Sequence, residues 1–354
     1  MEKENILRQF ELDFPPSSVS SYGQGHINRT YLVETSGNER YILQGINKTV
    51  FPRPEELMEN IVKVTLYLKD MIEKSGGNPD RETLTLVPAL DGKSFFKDEE
   101  GEYYRVYRFI EDAVTLNAVG QLMDFYESGI AFGRFQSMLR DFPAETLHCV
   151  IPDFHNTAKR FLALEKAVEL DMCGRKEEVK KEIDFIWERR QEMSLLEDMQ
   201  KAGALPLRVT HNDTKLNNVM LDKKSHKALC VIDLDTVMPG LSVHDFGDAI
   251  RFGANTAAED ERDLQKVSLS LELYDIYKKG FLQGCEGSLT KDELRMLPMG
   301  AKMMTLECGM RFLTDYLSGD TYFKVAREKH NLDRCRCQLA LAADMERKWN
   351  EMTK

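Results

Sequence analysis

The apolar residues of this chain change from strand-like to mostly helical spacing near Phe109, and that change limits the fold more than composition does. Before it they come in short β-branched or aromatic runs, Tyr31-Leu32-Val33, Tyr41-Ile42-Leu43 and Tyr103-Tyr104-Arg105-Val106-Tyr107, parted by Gly, Asn and Asp. That is the pattern of strands and turns. One helix is expected among them: Pro54, Glu55 and Glu56 suit a helix start, and Leu57, Ile61, Val64 and Leu68 follow at helical spacing. From Asn117 to Gln200 the text turns into long charged helical stretches such as Glu177 to Trp187, interrupted at Phe142-Pro143 and Ile151-Pro152. A second β-like island follows, Leu207 to Thr210, Asn218 to Leu221 and Ala228 to Ile232, and after Phe246 helical patterning runs to the end. The expectation is an α+β, two-lobed fold, with a small β-rich lobe over residues 1–108 and a larger, mostly helical lobe over 109–354.

The chain has 354 residues, 42% hydrophobic and 30% charged, which is ordinary for a globular enzyme. Its net charge of −11 disfavours a nonspecific grip on nucleic acid or anionic lipid, so any phosphate site must be local. No apolar stretch approaches the ~20 residues of a membrane span, and the start, Met1-Glu2-Lys3-Glu4-Asn5, is polar. A cytoplasmic protein without nucleic-acid or membrane partners is expected. The seven cysteines include one close pair, Cys335 and Cys337, spaced too tightly for a zinc knuckle, and are read as reduced thiols.

The richest stretch for chemistry is Thr210-His211-Asn212-Asp213-Thr214-Lys215-Leu216-Asn217-Asn218, followed by Val231-Ile232-Asp233-Leu234-Asp235. Phosphoryl transfer needs a carboxylate to orient and deprotonate an acceptor hydroxyl, and an amide oxygen and a second carboxylate to hold magnesium. Asp213, Asn218 and Asp233 supply that set. Asx caps in a polar turn would explain any one of them but not the joint spacing. A second acidic cluster, His244-Asp245-Phe246-Gly247-Asp248, opens the next helical run. Asp245 there is either a helix N-cap or, with His211, a support for the catalytic loop. Near the start, Tyr22-Gly23-Gln24-Gly25-His26-Ile27-Asn28 sets two glycines in a turn between strands. An ordinary hairpin would use them too, but glycines also let backbone amides approach a phosphate.

These segments together resemble the aminoglycoside phosphotransferase and choline kinase superfamily. Within it, Arg40-Tyr41-Ile42-Leu43-Gln44, Asp245 to Ala254 and Glu307-Cys308-Gly309-Met310-Arg311-Phe312-Leu313 narrow the resemblance to kinases acting on the anomeric hydroxyl of N-acetylglucosamine or N-acetylgalactosamine. The resemblance implies a two-lobed protein-kinase-like fold, ATP and Mg2+ as cofactors and a small amino sugar as partner. It implies Asp213 as catalytic base, Asn218 and Asp233 as magnesium ligands with Asp235 near the same metal, and Gly23, Gly25 and Gln44 near the nucleotide. Arg108, Phe109 and Ile110 would belong to the linker that receives adenine, and His26, Arg311 and Tyr322 would join Asp213 around the sugar.

One position departs from the family pattern. Members usually carry a basic residue on the third strand to grip the phosphates, and here that place holds Gln44, which has no charge. Lys48 shares its strand parity but would lie ~13 Å further on. The helix acid that would pair with such a cation is open among Glu55, Glu56 and Glu59. Two alternatives therefore stay beside the sugar 1-kinase: a kinase of another small alcohol, such as choline, ethanolamine, homoserine, methylthioribose or an aminoglycoside, and a noncatalytic nucleotide-binding regulator.

Overall fold

A computed structural model describes residues 2–23 and 27–354, so Gly25 and His26 lie outside the described residues. In chain order the elements are α1 (Lys3–Leu7), β1 (Pro16–Ser21), β2 (Arg29–Thr35), β3 (Arg40–Ile46), α2 (Pro54–Lys74), α3 (Pro79–Glu82), β4 (Leu86–Val87), β5 (Phe96–Lys97), β6 (Tyr103–Arg108), β7 (Ala113–Val114), α4 (Leu122–Met138), α5 (Thr157–Leu170), α6 (Lys180–Trp187), α7 (Leu195–Lys201), β8 (Arg208–Thr210), β9 (Val219–Asp222), β10 (Ala228–Val231), β11 (Met238–Gly240), α8 (Ser242–Gly253), α9 (Leu271–Cys285), α10 (Lys291–Leu317), α11 (His330–Arg347) and α12 (Trp349–Met352). They form two compact units. The first takes Met1–Thr115, Asp141–Ile151 and Val219–Met238, and the second takes Leu116–Arg140, Pro152–Asn218 and Pro239–Lys354. The first unit is thus assembled from three stretches of chain, one of which carries Asp233 and Asp235.

In the first unit β1, β2, β3, β6 and β4 lie side by side in that order, with β5 also on β6. Strand alternation assigns the two faces. Tyr41 and Leu43 of β3 and Tyr104 and Val106 of β6 join Ile6, Leu7, Phe10 and Val33 in an apolar core. Gln44 and Arg105, register partners across β3 and β6, have the opposite parity. The Arg105 guanidinium lies 3.8 Å from Met58 Sδ of α2, so that helix covers the second face. Pro54 opens α2 with Glu55 and Glu56 in its first turn, and Leu57, Ile61, Val64, Leu68 and Ile72 form its buried stripe. A smaller sheet, β10, β9 and β7, completes the unit. β10 stops at Val231, so Ile232 falls outside the strand, and Asp233 follows with a left-handed φ of 59°.

The second unit is mostly helical, and glycine lets its helices approach at backbone distance. A Cβ on Gly129 of α4 would stand 2.6 Å from the Tyr277 carbonyl oxygen and 2.8 Å from the Phe281 nitrogen, both on α9. The stretch from Glu177 to Trp187 is a 3-10 turn followed by α6 rather than one helix. α8 begins at Ser242, with Leu241 as its N-cap and no side-chain cap, so Asp245 is not a helix cap. The seven cysteines are all unpaired.

Candidate active site

In the second unit β8 delivers the chain into a tight loop. Asn212 adopts a left-handed φ of 64°, and Leu216–Asn218 close a single 3-10 turn. Such a backbone persists only when its surroundings over-determine it, and Asp245 and Asp248 of α8 do so. Asp245 is 1% exposed. Its Oδ2 accepts from the His211 backbone N–H at 2.9 Å and from Gln136 Nε2 at 2.8 Å, and its Oδ1 from the Asn212 N–H at 2.8 Å. Burial pushes its carboxyl pKa up, against the pull of His211 and these donors. Asp248 Oδ2 accepts from the Thr214 N–H at 3.1 Å, while its Oδ1 takes Arg251 Nε at 3.0 Å. His211 is buried edge-on to Phe132 and Phe135.

Asp213 stands at the head of this loop. Asn218 Nδ2 donates to its carbonyl at 2.8 Å and to its Oδ2 at 3.1 Å, which leaves the Asn218 carboxamide oxygen as the acceptor for a cation. Lys215 Nζ lies 2.8 Å from Asp213 Oδ1. Burial alone would lower the Lys215 pKa, but the charges of Asp213 and Asp248 raise it, so the ammonium persists. Sequence reading passed over Lys215, although it stands two residues after Asp213.

Behind the loop lies a buried pair with no local sequence signal. His155 Nδ1 is 2.9 Å from Glu307 Oε1, and His155 Nε2 is 3.1 Å from the Asn212 carbonyl oxygen. Thr157 donates to Glu307 Oε2 at 3.0 Å. One helical turn after Glu307 comes Arg311, whose guanidinium faces the rings of Phe154, Tyr322 and Phe323 at 5.2, 6.0 and 5.5 Å. Arg160, held by the Phe154 carbonyl, is close enough that burial first and Arg311 second depress its pKa. The loop carrying Tyr322 and Phe323 is pinned by Asp315, whose carboxylate accepts from the N–H groups of Thr321, Tyr322 and Phe323 at 2.8–2.9 Å. Asp213, Arg311 and Tyr322 are thus linked through Asn212, His155 and Phe154, while Phe154, Arg160, Asp315 and Phe323 were not singled out in the sequence.

In the first unit, Asp233 follows the end of β10. Asp235, 3% exposed, receives Asn28 Nδ2 on Oδ2 and faces Arg105 Nη1, 2.5 Å from Oδ1. Arg105 also donates to Gln44. Lys48 is engaged elsewhere, with Glu102 and the Gly101 carbonyl. Of the helix acids, Glu55 accepts from Tyr103, Glu56 pairs with Arg53 and Glu59 with His148. Gly23 has a left-handed φ of 75°. Arg108 pairs with Asp13, the Phe109 ring lies under Arg40 and edge-on to Tyr22, and Ile110 is buried. By donor chemistry, the carboxamide oxygen of Asn218 and the carboxylate of Asp233 are each of a type that suits Mg2+. Among the described residues no group of three or more His, Cys, Asp or Glu gathers at metal-ligand spacing.

A loop aspartate bonded by an asparagine and braced from the following helix suits the class of small-molecule phosphotransferases. The sequence match agrees with the chemistry: residues 18–275 fit the model of the phosphotransferase enzyme family abbreviated APH, and the chain belongs to that family. Solved structures share the fold. A microcompartment-associated aminopropanol kinase is 16% identical with a TM-score of 0.61, over 99% of this chain and 98% of that one. An aminoglycoside phosphotransferase from Alicyclobacillus acidocaldarius is 12% identical with a TM-score of 0.65, over 99% and 97%. An amicoumacin kinase in complex with AMP-PNP, Ca2+ and Ami is 15% identical with a TM-score of 0.61, over 96% and 93%. Among the described residues no helix is long and apolar enough to cross a membrane.

Proposed function

We propose that this chain uses ATP and Mg2+ to phosphorylate the anomeric hydroxyl of an N-acetylhexosamine, giving the hexosamine 1-phosphate by direct in-line transfer. The observation that carries the acceptor assignment is Arg311, a guanidinium set among Phe154, Tyr322 and Phe323 with Arg160 beside it. Two cations repel an ammonium-bearing alcohol and favour a neutral acceptor rich in hydroxyl and carbonyl oxygens, which a guanidinium fork can engage while an aromatic ring covers an apolar sugar face. Two nearby acids are engaged: Glu307 by His155 and Thr157, and Asp315 by three backbone N–H groups.

In this reading Asp213 accepts the acceptor hydroxyl's proton, held in place by Asn218 and the braced loop. Asn218 and Asp233 are the residues that would hold magnesium, which when bound offsets the charge of the transferring phosphoryl group. Lys215 adds a positive charge beside the base, and His26 is the further sugar contact implied by family resemblance. Catalysis is then positioning and charge neutralisation. The test is magnesium- and ATP-dependent turnover on N-acetylglucosamine, N-acetylgalactosamine, glucose, galactose, choline and aminopropanol, with the product read by phosphorus NMR. A 1-phosphate of an N-acetylhexosamine is expected, and preferential turnover of either amino alcohol would overturn the acceptor assignment. Asp213→Asn should lower kcat by about 10²–10⁴ while leaving ATP binding intact.

A further inference from the structure

One basic residue of the first unit is buried among the described residues. It is Arg105, 1% exposed, on the face of β6 opposite the apolar core. Its guanidinium is held on every side. Nε and Nη2 both donate to Gln44 Oε1, at 3.0 and 2.8 Å, and Gln44 Nε2 in turn donates to Thr30 Oγ1 at 3.1 Å. Thr30, Gln44 and Arg105 are consecutive register partners across β2, β3 and β6, so the three side chains form one row over the sheet. Nη1 meets Asp235, whose second oxygen is held by Asn28, and the Asn28 Oδ1 accepts from the Asn47 N–H at 3.0 Å. Both ends of the Gln44 amide are therefore used, and the charge of the row is supplied from the neighbouring strand.

The surroundings point to a purpose beyond packing. A guanidinium is costly to bury and an apolar pair of similar volume would hold two strands at least as well. Here it stands 2.5 Å from Asp235, two residues after Asp233. Without Arg105, the buried carboxylate of Asp235 would lose its cation, two residues from Asp233. At 1% exposure Arg105 acts as a fixed charge in a low-dielectric setting, where its field is poorly screened.

We propose that Arg105 is the fixed cation that admits the nucleotide polyphosphate to the first unit, with Gln44 as its clamp and Asp235 as its counter-ion in place of a metal ligand. Arg105 is thus a positioning residue, and the inference rests on the nucleotide-dependent reading above. The test is calorimetric binding of Mg·ADP and of adenosine to the full chain, with circular dichroism as a check on folding. Arg105→Gln is expected to weaken Mg·ADP about 10- to 100-fold, as loss of a nearby, poorly screened charge does, while adenosine changes less than about twofold. Gln44→Lys combined with Arg105→Gln returns a positive charge to the row and should recover most of that loss. Asp235→Asn should bind Mg·ADP at least as tightly as the parent and keep its dependence on magnesium. Equal weakening of ADP and adenosine by Arg105→Gln, or no weakening in a folded variant, would overturn the role of Arg105. Loss of the magnesium dependence in Asp235→Asn would return Asp235 to the metal. Failure of the unaltered protein to bind Mg·ADP would instead overturn the nucleotide-dependent reading, and the inference with it.

Discussion

Replacing His155 by glutamine removes a cation from behind the base loop while keeping one hydrogen bond possible. Both ring nitrogens face acceptors, Glu307 Oε1 at 2.9 Å and the Asn212 carbonyl at 3.1 Å, so both carry protons and the ring is an imidazolium. Burial alone would lower its pKa, but Glu307 first and Asp248 after it raise it above the ordinary value. Glu307 is lowered in turn: burial opposes its charge, and His155 and Arg311 outweigh that. His244, also facing the pair, is held neutral, its pKa pushed down to about 3 by burial and by His155. Breaking a buried ion pair from one side costs about 3–5 kcal/mol, and a neutral glutamine hydrogen bond restores about 1 kcal/mol. His155→Gln should therefore lose about 2–4 kcal/mol, and Glu307→Gln a similar amount. The double variant should lose less than the sum, with a coupling of about 1.5–3 kcal/mol. Because Asn212 adjoins Asp213, kcat should also fall about tenfold in His155→Gln with the KM for ATP unchanged. A His pKa raised on folding gives stability that is full below its unfolded value of about 6.5 and is lost as pH rises through the folded value. The stability gap between parent and His155→Gln should thus narrow above pH 6.5. Urea unfolding at pH 6 and pH 9, with steady-state kinetics, reads all three effects. Single variants that add to the double within about 0.5 kcal/mol, or a gap that widens with pH, would refute the ion pair.

Three further outcomes are expected. Gly129→Ala forces a Cβ to within 2.6 Å of the Tyr277 carbonyl, on a helix backbone that cannot rotate away, and should cost about 1–3 kcal/mol in thermal or urea unfolding; an unchanged midpoint would contradict the close approach of α4 and α9. Asp315→Ala frees three backbone N–H groups that fix Tyr322 and Phe323, so KM for the proposed acceptor should rise about tenfold with KM for ATP unmoved. Equal changes in both constants would show a general structural role. Lys215→Ala removes the ammonium 2.8 Å from Asp213 and should lower kcat about 10- to 100-fold, as loss of a charged partner does, and kcat near the parent value would exclude a part in the chemistry.

What the sequence determined on its own is local and periodic. The α2 stripe from Leu57 to Leu68 and its Pro54 start were legible because a helix buries every third or fourth residue wherever it docks. The aromatic and β-branched runs of β2, β3 and β6 were legible for the analogous reason. The spacing of Asp213 and Asn218 was legible because both sit on one short loop. What tertiary structure alone decided is how groups distant in sequence satisfy one another. His155 and Glu307 are 152 residues apart, and nothing near either one announces a pair. The role of Asp245 required knowing that α8 starts three residues earlier, at Ser242, and turns that carboxylate toward backbone N–H groups 33 and 34 residues back. The missing charge at Gln44 is the sharpest case. Along the chain it reads as an absence, and across the sheet it is answered by Arg105, 61 residues on, because strand register sets the two side chains face to face. A buried charge must find a partner wherever folding brings one, and that choice is made in three dimensions.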